Sequence, residues 1–288
     1  MQASSICFSD LDGTLMHDSP AALEGQDRSL LLVTPPSSSG KCGVISVHTL
    51  HQIQALRAQG VKFVLITGAR LATFYMRLPF LPAADAYVCE SGGQDLLPWW
   101  CRARQQRPAN RVLLDGGPGL EEQLGGPLWE WMRTLNEAGF VTDSGYTTSF
   151  RVPCKGGKSA SDIAATECSA PKQLKMSFNL GHADFYPVTS GKLSAARHVM
   201  RRFMALEEDC TFLCDDDNDL ELAAVVSKAF LPSVTSPSVE AAIQLRPDHF
   251  VRAAASGTQA TEEMLDAVLQ HYSLKTKGNG LVTACVAS

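Results

Sequence analysis

Short apolar runs alternating with helix-spaced apolar stripes constrain this chain more than any other feature, because that rhythm fits a parallel sheet covered by helices. The runs lie at 6–8, 61–66, 86–89, 211–214 and 229–231 and contain few polar residues, as strands buried on both faces require. Between the first two, Val47, Leu50, Ile53 and Leu56 recur at helical spacing, with Ser46 placed as N-cap and Gly60 as stop. Leu193, Ala196, Val199 and Phe203 form a second stripe before the run at 211. The expected fold class is α/β, a Rossmann-like core with a parallel sheet.

Two stretches interrupt the rhythm. Residues 16–45 hold an apolar run, a Pro-Ser segment and then Val44 and Ile45, which predicts two short strands forming a flap beside the first core strand. Residues 94–186 contain all four tryptophans (99, 100, 129 and 131) and one helical pattern at 128–138. At about 150 residues per domain, 288 residues correspond to two domains. The expected division is a discontinuous core, 1–93 and 187–288, with 94–186 inserted as a smaller α+β cap. A capping pattern at 256–259 precedes a helix over 262–272, and a frayed tail is expected from Lys277.

Composition narrows the function classes. Lys and Arg total 25 against 30 for Asp and Glu, a net charge of -5, so no basic surface points to nucleic acid or an anionic membrane. No apolar stretch approaches the roughly 18 residues of a membrane span. Nine cysteines without a CxxC pair read as reduced thiols in a cytosol-like compartment. The expected location is the cytoplasm, or an organelle if a transit peptide has been removed.

Four pieces carry chemistry. In CFSDLDGTL, Asp10 and Asp12 stand where the first strand ends, the edge at which α/β sheets place ligands. The first carboxylate can attack phosphorus and the second can act as acid and base; the structural alternative is an Asp-Gly turn closing a strand. Thr67 and Gly68 follow the second strand and could hold a phosphate oxygen, although in isolation Thr67 reads first as an ordinary helix N-cap. Lys192 opens a helix, where most lysines are solvated. In FLCDDDNDLELA, the aspartates at 215, 216, 217 and 219 crowd a strand end. Their mutual repulsion calls for a hard divalent cation with oxygen ligands, for which Mg²⁺ fits; an acidic solvated loop is the alternative. Ser39-Gly40-Lys41 is not a phosphate-binding P-loop, since Pro35 and Cys42 occupy positions that need glycine and Ser/Thr.

In order and context the four pieces resemble the haloacid dehalogenase (HAD) superfamily, specifically its Mg²⁺-dependent phosphatases of the Cof-type and sucrose-phosphate-phosphatase-like branch. Asp10–Thr14, Thr67, Lys192 and Asp215–Asp219 match its four motifs, and YVCESGG at 87–93 matches its entry into the cap. The resemblance spans roughly residues 5–93 and 185–272. It implies that Asp10 becomes an aspartyl-phosphate, with Asp12 protonating the leaving oxygen and then activating water. It further implies Mg²⁺ on Asp10, the Asp12 carbonyl and Asp215; Thr67 and Lys192 on the phosphoryl oxygens; and Asn218 and Asp219 in support. Three departures stand out: Cys214 for a common glycine, Ser91 for a common asparagine, and the extra pair Asp216 and Asp217, which leaves a third carboxylate ligand undecided.

Alternation in the cap predicts two strands. Thr147, Ser149 and Arg151 share one face of 146–152, and Lys175, Ser177 and Asn179 share one face of 175–179. The opposite faces are apolar and would pack on the Trp129 helix. The polar face either meets water or closes over a polyhydroxylated ester such as a sugar phosphate. The leading expectation is therefore a Mg²⁺-dependent phosphatase for a small phosphorylated metabolite. A phosphosugar mutase, or a catalytically silent sugar- or partner-binding module, are the alternatives; oligomeric state is left open.

Overall fold

A computed structural model describes residues 4–18, 27–37, 40–96, 125–179 and 182–285, with backbone alone at 95, 96, 179 and 276–285. The centre of the molecule is strand β1 (Ile6–Ser9), sandwiched in register between two parallel neighbours. Leaving β1, the chain forms a hairpin of β2 (Leu31–Val33) and β3 (Val44–Ser46), the predicted flap. It then enters α1 (Val47–Ala58), where Ser46 accepts a hydrogen bond from the Thr49 amide as the predicted N-cap.

The next strand, β4 (Lys62–Ile66), returns beside β1 and leads through α2 (Leu71–Arg77) to β5 (Ala86–Cys89). β6 (Gln94–Leu96) adds antiparallel to β5, so the large sheet continues beyond residue 93. The remaining chain supplies α3 (Pro127–Glu137), β7 (Phe150–Val152), α4 (Ala160–Ala165), β8 (Leu174–Asn179), β9 (His182–Pro187) and α5 (Lys192–Phe203). It ends with β10 (Cys210–Leu213), α6 (Leu220–Ala223), β11 (Lys228–Leu231), α7 (Pro237–Leu245), β12 (Phe250–Arg252) and α8 (Gly257–Cys285).

The large sheet has seven strands in the order β12-β11-β10-β1-β4-β5-β6, six of them parallel. All five predicted core strands are present. β12 escaped detection because its three residues run from buried to exposed and form no apolar block. Alternate side chains of each strand enter opposite cores. Ile6, Phe8, Val64 and Ile66 pack with α5, α6 and α7, whereas Cys7, Phe63 and Leu65 pack with α1, α2 and α8. Helices on both faces explain the uninterrupted apolar runs. α8 continues through Lys277, where fraying was expected; once nucleated, a helix propagates at little cost per residue.

A separate antiparallel sheet, ordered β7-β9-β8, lies in the predicted cap. Its apolar face buries Phe150, Val152, Ala183 and Phe185 against Trp129, Trp131 and Met132 of α3. Phe150 and Phe185 stack at 5.1 Å. Trp129 and Trp131 are thus core residues, while Trp99 and Trp100 lie outside the described residues. Among the described residues no helix is long and apolar enough to cross a membrane, and no disulfide joins the described cysteines.

His17 fastens the base of the flap to α8, its Nε2 lying 2.7 Å from Thr261 Oγ1. The Thr261 hydroxyl already donates to the Thr14 carbonyl at 2.6 Å, so Nε2–H of His17 is the donor. Burial pushes the His17 pKa down to about 4 from 6.5. As pH falls through that window the unfolded chain takes up a proton that the folded chain refuses, and stability is lost. His17→Gln is expected to lose less stability than the wild type on going from pH 7 to pH 4.5. The difference should approach about 2 kcal/mol in urea denaturation, at about 1.4 kcal/mol per unit of pKa shift.

Candidate active site

Three adjacent strands deliver the site. Ser9 at the end of β1 is level with Leu213 of β10 and Leu65 of β4, so Asp10, Asp215 and Thr67 emerge together at the carboxyl edge of the sheet. The turn after β1 needs Gly13, which adopts φ +85°. A Cβ there would lie 2.2 Å from the Asp215 carboxylate. Thr14 donates to Asp215 Oδ1 at 2.7 Å.

Lys192, the first residue of α5, is buried rather than solvated. Its ammonium lies 3.0 Å from Asp10 Oδ2 and 2.5 Å from Asp219 Oδ1. Asp10, Asp215 and Asp219 each offer a carboxylate oxygen within 4.8 Å of the others. Burial raises the pKa of all three against the pull of Lys192. Asp215 is pushed well up, with repulsion from Asp10 and Asp219 adding to burial, and Asp219 rises to about 7. Asp10 Oδ1 and Asp215 Oδ2 are buried without a hydrogen-bond partner. An oxygen-only donor set with two unsatisfied carboxylate oxygens fits a hard divalent cation.

The other members of the acidic run are accounted for by capping. Asp216 accepts from the Asp217 amide at 2.9 Å and from Thr235 Oγ1 at 3.0 Å. Asp217 accepts from Ser236 and Ser238 at 2.5 and 2.6 Å, at the N-terminus of α7. Asp219, which the resemblance put in support of the metal and Lys192, bonds the Lys192 ammonium and also borders the carboxylate cluster. Asn218 is half-buried beside it, with its Oδ1 unsatisfied.

A cavity of about 810 Å³ opens over this edge, lined by Asp10, Asp12, Thr67, Gly68, Asp215 and Asp216 among others. Thr67 is not the N-cap of α2; that position is Arg70. The Thr67 oxygen accepts from the Ala69 amide at 3.1 Å. The Asp12 side chain is 38% exposed, and its Oδ1 meets Arg77 Nη1 at 2.9 Å. Burial raises the Asp12 pKa and Arg77 opposes the rise.

Of the five cap residues expected over the site whose side chains are described, only Arg151 lines the cavity. Arg151 is held by Asp184 in two contacts of 2.6 and 2.8 Å. The predicted strand at 146–152 forms only from Phe150. Thr147 and Thr148 instead give their amides and hydroxyls to Glu90 Oε2, at 2.7–3.0 Å. Ser149 is buried. Ser177 bonds Tyr186 across the sheet, and Lys175 pairs with Glu221 of the core at 3.1 Å. The side chain of Asn179 lies outside the described residues.

Residues not foreseen line the cavity in their place. Tyr146 lies between two guanidinium groups, 4.8 Å from that of Arg70 and 5.7 Å from that of Arg151. Arg70 pairs with Asp143, joining core and cap. His182 and Lys155 complete the cap side.

No protein-family model matches this sequence, and no curated protein does. Solved structures do match the fold. The sucrose-phosphatase of Synechocystis sp. PCC6803, solved with sucrose and phosphate, is 14% identical with a TM-score of 0.60, covering 94% of this chain and 99% of its own. The HAD phosphatase BT1666 of Bacteroides thetaiotaomicron is 12% identical with a TM-score of 0.61, over 94% and 95% of the two chains. The subclass IIB sugar phosphatase BT4131 is 13% identical with a TM-score of 0.58, over 94% and 99%. The chain therefore shares the fold of these HAD phosphatases over most of its length.

Filling the carboxylate cluster is expected to stabilise the protein. Mg²⁺ at about a hundredfold excess over its Kd should raise the melting temperature by about 5 °C. Asp215→Asn should remove that shift while leaving a cooperative melt.

Proposed function

We propose that the protein is a Mg²⁺-dependent phosphatase that hydrolyses a small phosphorylated metabolite, a sugar phosphate by class, through an aspartyl-phosphate at Asp10. The observation that carries this reading is Asp10 itself. One of its oxygens is neutralised by buried Lys192, and the other is unsatisfied at a cluster suited to a cation. The ion would be held by Asp10, Asp215 and Asp219, with the Asp12 carbonyl as a further oxygen donor. When bound, it would offset carboxylate repulsion and draw negative charge from the phosphoryl oxygens.

The residues divide the remaining work. Thr67 and Gly68 border the cavity beside Asp10 and would orient the phosphoryl group, while Lys192 keeps the Asp10 carboxylate fixed and ionised. Asp10 forms a bond to phosphorus as the ester oxygen departs with a proton from Asp12. Water then attacks the aspartyl-phosphate, giving its proton to Asp12, which restores both carboxyl groups. Arg151 and Tyr146 from the cap, with Arg70 from the core, line the cavity where the leaving group would lie. Their oriented N–H and O–H donors suit a hydroxylated partner, and the sugar phosphatase neighbours support that class of substrate. The cysteine usage and charge balance suit a small-molecule role in the cytoplasm.

A panel of phosphate esters assayed with Mg²⁺ tests this reading. Release of inorganic phosphate from a sugar phosphate is expected, and Asp10→Asn should lower it by at least about 1000-fold. An isomerised ester without free phosphate would instead identify a mutase. Full activity in Asp10→Asn, or after complete chelation, would sink the mechanism.

A further inference from the structure

Arg77 is a buried cation that the chemistry above does not use. It is the last residue of α2, its side chain 3% exposed, and its guanidinium is spent on three acceptors. Nη1 donates to Asp12 Oδ1 at 2.9 Å, Nε to the Pro35 carbonyl at 3.2 Å and Nη2 to the Lys41 carbonyl at 3.0 Å. Pro35 and Lys41 bracket the turn of the flap hairpin, a turn in which the Ser37 amide donates to the Lys41 carbonyl at 2.8 Å. Ser37 and Lys41 both border the cavity. One rigid cation thus connects a catalytic-edge carboxylate to both ends of the flap turn.

Neutral donors would satisfy two flap carbonyls at lower cost than a buried cation, whose desolvation costs several kcal/mol unless a charge partner is well placed. The planar fork of arginine does something neutral donors do not: it fixes its acceptors relative to one another. Among the described residues Asp12 is anchored through Oδ1. Its side chain lines the cavity, so the second oxygen is left for the leaving group.

We infer that Arg77 is a positioning residue, which aims the Asp12 carboxyl at the departing oxygen and ties that aim to seating of the flap. The inference rests on the phosphatase reading. In the step concerned, the Asp10–phosphorus bond forms, the phosphorus–oxygen bond of the ester breaks, and the Asp12 proton passes to the leaving alkoxide. Misplacing a reacting group by about 1 Å can cost about 100-fold in rate. The cost should fall on leaving groups that need the proton. A nitrophenolate leaves without one.

The test compares kcat/KM for an alkyl ester, a sugar phosphate turned over by the wild type, with that for p-nitrophenyl phosphate. Arg77→Met is expected to lower the alkyl value about 100-fold and the aryl value by less than about 5-fold. Arg77→Lys keeps the charge but not the fork, and should show the same selectivity at smaller amplitude. Added to Asp12→Asn, Arg77→Met should cost less than about 2-fold more, since both remove the same function. Equal losses on the two esters, or full additivity with Asp12→Asn, would overturn the inference and leave the phosphatase reading standing. If Arg77→Met does not fold, an unchanged alkyl-to-aryl ratio in Arg77→Lys overturns it equally. A wild type inactive on every ester would overturn the phosphatase reading, and this inference with it.

Discussion

One buried ammonium holds the catalytic edge together. Lys192 stands between Asp10 and Asp219 with its side chain 1% exposed, in surroundings where an unpaired ion of either sign would be costly. Asp215, close to both, adds charge that a single lysine does not balance, which is why burial and repulsion drive the Asp215 pKa up. The local backbone serves this arrangement. Gly13 and Gly191 take left-handed φ values of +85° and +106°, the first making room for the Asp215 carboxylate and the second placing Lys192 at the start of α5. The Gly191 amide also donates to the Ser91 carbonyl at 2.7 Å. The chain therefore re-enters the core after β9 at the point where the cation is needed.

The same economy governs the link to the cap. Glu90 and Ser91 are consecutive non-glycine residues with φ of +52° and +51°, a conformation that costs roughly 1–2 kcal/mol per residue. The carboxylate of Glu90 offsets that cost. It accepts from the Leu71 amide at 3.1 Å through Oε1, and through Oε2 it accepts both amides and both hydroxyls of Thr147 and Thr148. One side chain thereby fixes the start of α2 and the cap segment that leads to β7. Ser91 holds a left-handed backbone of a kind that asparagine tolerates better than most residues.

The sheet was legible because strands buried on both faces must be apolar throughout, and Ile6, Phe63, Val64 and Phe212 obey that rule. Asp10, Thr67 and Asp215 were legible because each follows such a strand. What sequence could not order were contacts made across long separations. Arg77 reaches Asp12 over 65 residues and Glu90 reaches Thr147 over 57. Each carried a faint signal: an arginine inside the apolar stretch LATFYMRLPF, and a glutamate directly after a buried strand. In the cap, alternation assigned the apolar face correctly and overlooked the central strand β9. HADFYP alternates in the same way, and Asp184 on its polar face is what holds Arg151.

Those pairings also bear on which esters the cavity could accept. Its arginines are each matched to an aspartate: Arg70 to Asp143, Arg77 to Asp12 and Arg151 to Asp184. Lys41 is matched to Asp18 in the flap. Apart from Lys155, which also borders the cavity, this wall of neutralised guanidinium groups presents directional N–H donors and aromatic surface. Paired guanidinium groups attract a second strongly anionic group less than free ones would, whereas hydroxyl oxygens need only donors in the right places. On the proposed reading, the concentrated charge at Asp10, Asp215, Asp219 and Lys192 would act on the phosphoryl group, and the oriented ion pairs above it would meet the hydroxylated part of a sugar phosphate.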